Sequence, residues 1–164
     1  MQRNPSVKAQ SACRLFFTVC LAATIIFIFA NSADNADVSG GKSEAVAAFV
    51  NRVLQKTDAP VRVTEHIVRK AAHFSEYMLL GFWLWLTVWA YTARPLRYLV
   101  WMLFFGLLIP VTDETFQLFV PGRAGQVTDV LIDFCGVLCG LLAGALARRF
   151  AAAPHSKRQK GRML

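Results

Sequence analysis

Side chains of the kinds that hold ligands or move protons gather in three short stretches of this chain. The first is Arg69-Lys70-Ala71-Ala72-His73-Phe74-Ser75-Glu76-Tyr77, the second Asp113-Glu114-Thr115-Phe116-Gln117, and the third Pro121-Gly122-Arg123 followed by Asp129 and Asp133. At helical spacing Lys70, His73 and Tyr77 share a face, with Glu76 at its edge. Asp113, or Glu114 with it, shares a face with Gln117, and Asp129 and Asp133 stand one turn apart. Two kinds of chemistry suit these residue types. Lys70 and Arg123 can hold phosphate or carboxylate while the acids meet a cation or amine. Alternatively His73 or Glu76 is a general base, with Asp129 and Asp133 orienting it or holding a divalent metal, which makes His73, Glu76, Asp129 and Asp133 the catalytic candidates. No serine or cysteine nucleophile stands beside them in an evident motif. A structural polar knot that pins helices in register competes with both.

The charges in these stretches do not cancel. Five carboxylates (Glu76, Asp113, Glu114, Asp129, Asp133) face three permanent cations (Arg69, Lys70, Arg123) and His73. Either a carboxylate or His73 holds a proton, or a cation or cationic ligand supplies the missing charge.

The elements that position these residues are apolar. Of 164 residues, 55% are hydrophobic and 17% charged, against about a quarter charged in soluble domains. Disorder, collagen and coiled coil are excluded. Four apolar segments, 15–30, 71–91, 98–118 and 127–147, approach or reach the roughly 20 residues that a helix needs to cross a bilayer. The fold expected is all-α: a four-helix integral membrane bundle with an amphipathic helix in the loop after the first span. The first segment reads as a signal peptide or a membrane helix; no A-x-A site follows it, which favours an uncleaved anchor. Segments two, three and four bring their ionisable groups to one depth. A charge costs about 2.5 to 3.5 kcal/mol at the centre of an inserting helix, so these groups are expected to face one another. Pro110 is expected to kink the third segment one turn before Asp113. Gly136, Gly140 and Gly144 form a run that lets a helix approach closely, within the bundle or in self-association. The four cysteines, Cys13, Cys20, Cys135 and Cys139, read as small packing residues.

Orientation follows from the basic residues. Eleven of them (Arg3, Lys8, Arg14, Arg94, Arg97, Arg148, Arg149, Lys157, Arg158, Lys160, Arg162) lie in segments with no acid, while the other seven accompany all ten acids. By the positive-inside rule, the tail 1–14, the 91–98 connection and the basic tail 150–164 are cytoplasmic. The net charge of +8 is thereby explained by topology, and nucleic acid is not an expected partner. Location is the cytoplasmic (inner) membrane, multi-pass, with both termini cytoplasmic and the polar cluster outside. In the outer loop 31–70, Val46, Phe49, Val50, Val53 and Leu54 mark an amphipathic helix near 44–56, lying on the outer leaflet or capping the bundle. Gly40-Gly41 and Asp58-Ala59-Pro60 punctuate its ends, and Thr64 is the expected N-cap of the next helix.

The combination Lys70-x-x-His73-Phe74-x-Glu76-Tyr77, Asp113-Glu114-x-x-Gln117-x-x-x-Pro121-Gly122-Arg123 and Asp129-x-x-x-Asp133-x-x-Gly136 resembles the VanZ-like family of small bacterial membrane proteins. The resemblance runs from about Asn31 to Arg149, with the core over 71–149. It implies an association with low-level resistance to the glycopeptide teicoplanin. Membrane lipid is one expected partner. The expected function is binding of a cell-envelope lipid, wall precursor or glycopeptide at an outer-leaflet cluster of Lys70, His73, Glu76, Tyr77, Asp113, Glu114, Gln117, Arg123, Asp129 and Asp133. The alternative is a membrane-embedded hydrolase or transferase acting on a lipid-linked substrate. Cofactor and metal are left open. A path for protons or cations across the whole membrane is disfavoured, because the polar residues stop within one end of each helix.

Overall fold

The computed structural model describes residues 7–57 and 62–152. Five α-helices follow in order: α1 (Val7–Ser32), α2 (Ala36–Leu54, prolonged by a 3-10 turn, Gln55–Thr57), α3 (Glu65–Tyr91), α4 (Leu99–Gln117, preceded by a 3-10 turn, Pro95–Tyr98) and α5 (Val127–Ala152). No strand occurs among the described residues. The protein is an all-α, multi-pass membrane bundle.

Three helical stretches, Val7–Ser32, Pro95–Gln117 and Val127–Ala151, are long and apolar enough to cross a bilayer. Three of the four expected segments thus meet the hydropathy of a span; the fourth lies in α3, and α2 is a fifth helix. The segment expected at 71–91 does form a helix, α3, but one whose composition falls short of the others. Arg69, Lys70, His73 and Glu76 crowd its first half, and Trp83, Trp85 and Trp89 its second. Its burial compensates. Tyr77, Leu80, Gly81, Trp85 and Leu86 are buried, and α1, α2, α4 and α5 all pack on it. A helix enclosed by protein needs less apolar surface than one facing lipid.

The α3–α5 seam is made by glycine. A Cβ on Gly140 would stand 1.9 Å from the carbonyl oxygen of Met78, one on Gly136 2.5 Å from that of Phe74, and one on Gly81 2.1 Å from that of Val137. Gly144 packs on Trp85. The run considered for self-association is therefore filled by α3 of the same chain. Such close backbone approach is what small residues at helical spacing permit. Along this seam and beside it, Ile28 of α1, Tyr77, Leu80, Trp85, Met102, Val137 and Leu141 form the core.

Several boundaries differ from the sequence expectation. α1 runs on past Ala30 through Asn31 and Ser32, because polar residues end an apolar run without ending a helix. α2 begins at Ala36 rather than near 44: Asn35 caps it, its side chain accepting from the Val38 amide at 2.9 Å. Gly40-Gly41 thus lie inside α2, where Gly40 sits against the side chains of Glu65 and Arg69. Thr64 caps α3 as expected. Pro110 lies inside α4, which continues as helix to Gln117. The cysteines are free, and Cys135 and Cys139 face outward rather than into the core. Asp58-Ala59-Pro60, the first six residues and the tail from 153 lie outside the described residues.

Candidate functional site

At one end of the bundle, the last turn of α1, the first turns of α3, the last turns of α4 and the first turns of α5 meet. The 118–126 loop crosses over them. Every site residue expected from the sequence lies here, and two unexpected ones join them.

The deepest group is built on Asp113, which is 0% exposed. Its Oδ2 accepts from the Ser32 hydroxyl at 2.8 Å and from the Gln117 side-chain amide at 3.2 Å. Its Oδ1 is buried without a hydrogen-bond partner. One turn on along α4 from Asp113, Gln117 also approaches Ser32 at 3.4 Å. Beside them Glu76 of α3 accepts from the Asn31 side-chain amide at 2.8 Å through Oε1, while its Oε2 is buried and unpartnered. Asn31 and Ser32 were not among the expected site residues, and α1 was read mainly as an anchor; the structure corrects this. The available signal was an Asn-Ser pair directly after an uncharged run, where a lipid-facing helix has no use for two polar side chains.

Glu114 turns the other way and accepts from the backbone N–H of Gln126 at 2.9 Å, tying α4 to the loop that enters α5. Gly125 makes this possible, because a Cβ there would stand 2.4 Å from the Glu114 carbonyl oxygen. On α5, Asp129 pairs with Lys70 of α3, both side chains about 70% buried. Arg69, next to Lys70, pairs instead with Glu65 one turn earlier in α3.

Arg123, one of the three cations counted against the five carboxylates, makes no ion pair among the described residues. Its Nε donates to the carbonyl of Asp34 at 2.9 Å and a terminal nitrogen to the carbonyl of Asn31 at 3.3 Å. Asn31 lies in the last turn of α1 and Asp34 in the connection to α2, and the C-terminal end of a helix favours a cation. Gly122, at φ 75°, supplies the turn that aims the arginine there. Burial pulls the Arg123 guanidinium down from its ordinary value, and the nearby charge of Arg69 adds to this; it stays charged.

Asp133 is the outlier. It is 1% exposed, and neither carboxyl oxygen has a hydrogen-bond partner. The charged groups that act on it most strongly are acids: Glu114, Asp113, Asp129 and Glu76. Tyr77, fully buried, lies between Asp113, Asp133 and Glu114, and His73, its Nδ1 buried and unpartnered, faces Asp113, Arg123 and Asp129. Among the described residues, Glu76, Asp113, Glu114 and Asp133 have no cation within ion-pair distance. Nor is any group of three or more His, Cys, Asp or Glu residues there disposed to hold a metal ion.

The family model VanZ/LLP1 matches residues 15–148. The chain belongs to the VanZ/LLP1 family. No curated protein and no solved structure matches it. In this VanZ/LLP1 chain the residues that carried the resemblance converge from α3, α4 and α5 and from the loop between the last two. Gly136 belongs to the same arrangement, since it lets α5 come close enough to Phe74 and Met78 for Asp133 to reach the cluster.

Proposed function

We propose that this end of the bundle binds the polar head of a cell-envelope amphiphile through a cationic or amine group. A lipid-linked wall precursor or a glycopeptide such as teicoplanin fits this description, and binding it is how the protein affects glycopeptide susceptibility. The observation that carries the reading is Asp133, a buried carboxyl with no donor on either oxygen and with Glu114, Asp113, Asp129 and Glu76 as the charges acting on it most strongly. Removing a carboxylate from water without a partner costs several kcal/mol, so the group takes up a proton or receives a cation. Glu76 and Asp113, each with one oxygen satisfied and one buried and bare, offer two further acceptors to the same visitor. A knot evolved only to pin helices has no need for four unfilled carboxyl oxygens.

In this reading Lys70, held by Asp129, and His73 meet the anionic part of the ligand, and Tyr77, Glu114 and Gln117 shape the floor. Arg123 positions the loop over the end of α1. The basic residues without acids around them support an orientation with both termini in the cytoplasm of a bacterial inner membrane and this cluster toward the outer leaflet.

Binding of labelled teicoplanin to the full-length protein in nanodiscs tests the proposal. Saturable binding to the wild type, weakened at least about tenfold in Asp133→Asn through loss of a charge-assisted contact, is expected. Equal binding to both would remove the carboxyl from the recognition and overturn the reading.

A further inference from the structure

The opposite end of the bundle has a character of its own. His73 and Ala90 are seventeen residues apart on α3, a rise of about 25 Å, so this end lies at the far headgroup depth from the carboxyl cluster. Between the start of α1 and the end of α3 a cavity of about 550 Å³ opens there, lined among others by Gln10, Cys13, Arg14, Trp89, Tyr91 and Thr92. Its one ionisable cation is Arg14. That side chain is fixed in the wall: Nε donates to the Ala90 carbonyl at 3.1 Å, and the guanidinium sits 5.4 Å from the centre of the Tyr91 ring. The Tyr91 hydroxyl is in turn 3.3 Å from that of Thr18. On the other side Arg148 of α5 stacks on the Trp89 ring at 3.4 Å, with its Nε buried and without a hydrogen-bond partner.

No acid neutralises these arginines. All ten acidic residues lie elsewhere in the sequence, and Arg14 and Arg148 make no ion pair among the described residues. Each guanidinium is instead preoriented by an aromatic ring and keeps donors for a planar, two-oxygen contact. The surroundings are apolar helices whose composition suits acyl chains. A cavity that pairs cationic forks with aromatic rings at headgroup depth, beside lipid-facing walls, matches one ligand chemistry: a phosphodiester with hydrocarbon attached.

We propose that this cavity is a binding site for the phosphate headgroup of an anionic phospholipid, with Arg14 as the principal contact and Arg148 adding positive charge from its stack on the lining residue Trp89. The site is independent of the carboxyl cluster and of the function assigned to it. Phosphate is the shared chemistry of lipid and free ion, and the acyl-lined position commits the proposal to the lipid.

Native mass spectrometry tests it on the full-length protein released from nanodiscs of equal phosphatidylglycerol and phosphatidylcholine. The wild type is expected to retain phosphatidylglycerol in preference to phosphatidylcholine, and Arg14→Gln to lower that retention about fivefold, the effect of one basic contact at a membrane surface. Arg14→Lys keeps the charge and is expected to retain part of it, which covers the case in which the glutamine variant does not fold. Arg97→Gln removes a charge at the same end outside the cavity and is expected to change little. Equal retention of the two lipids, or equal loss in Arg97→Gln and Arg14→Gln, overturns the site. Displacement of the lipid by millimolar inorganic phosphate assigns the cavity to a soluble anion and overturns the lipid commitment.

Discussion

The hydroxyl of Ser32, in the last turn of α1, donates to Oδ2 of Asp113 in α4 across 2.8 Å, and neither side chain is exposed. This contact joins α1 to α4 and sets one wall of the carboxyl cluster. Ser32→Ala removes the donor and leaves Asp113 with Gln117 alone. The expected cost is about 1.5 to 3 kcal/mol, the range for a hydrogen bond to a charged group, read as a fall in the thermal unfolding midpoint in detergent. In an Asp113→Asn background the same serine change should cost less. An equal cost in both backgrounds would show that the serine acts elsewhere.

Two glycines separate close packing from helix propensity. Gly140→Ala puts a methyl into the carbonyl oxygen of Met78, with the backbone of both helices in the way, and should destabilise by about 1 to 3 kcal/mol. Gly41→Ala meets nothing within 4 Å and gains up to about 1 kcal/mol from helix propensity. Thermal unfolding of both variants reads the difference. A tolerated Gly140→Ala would mean that α3 and α5 are not seamed backbone to backbone.

Lys70 and Asp129 form the bridge between α3 and α5 at the mouth of the site, and both are partly exposed, so solvent screens much of their attraction. Lys70→Asp should place two acids together and lower stability. The double exchange Lys70→Asp with Asp129→Lys should restore about 1 kcal/mol of that loss. A double variant no better than the single would dismiss the pair as a structural link.

The convergence of three polar stretches was legible in the sequence because ionisable residues in apolar helices have few places to go except toward one another. Lys70, His73, Glu76, Asp113 and Asp133 therefore meet as their spacing implied. The partners they choose were less legible. Arg123 stands between two acid-bearing helices, yet it serves carbonyls in the last turn of α1 and just beyond it, since helix ends present acceptors invisible in a list of side chains. Asn31 and Ser32 were read as the start of a loop because the apolar run stops at Ala30, whereas the helix continues until its backbone is capped. Likewise Gly40-Gly41 suggested a break, and the Asn35 cap together with packing on Glu65 and Arg69 outweighed it. α3 has the length of a span, and the tryptophans and charges that lower its hydropathy are accommodated by burial.

Topology reporters fused after Arg97 and after Arg149 should signal cytoplasm, and a fusion near Lys56 should signal the outside, because the acid-free basic residues cluster at one end of the helices. A cytoplasmic signal at Lys56 would turn the bundle over and move the carboxyl cluster to the inner leaflet.

The binding role of the carboxyl cluster is tested most directly at Asp133, by scoring teicoplanin susceptibility in a responsive host beside a membrane-fraction immunoblot. If the charge of this buried, unpartnered carboxyl meets a ligand, Asp133→Asn keeps the shape, relieves the burial cost and leaves protein level normal or raised while the phenotype is lost. A normal phenotype with Asp129→Asn and Asp133→Asn combined would contradict the account and return the cluster to pinning helices.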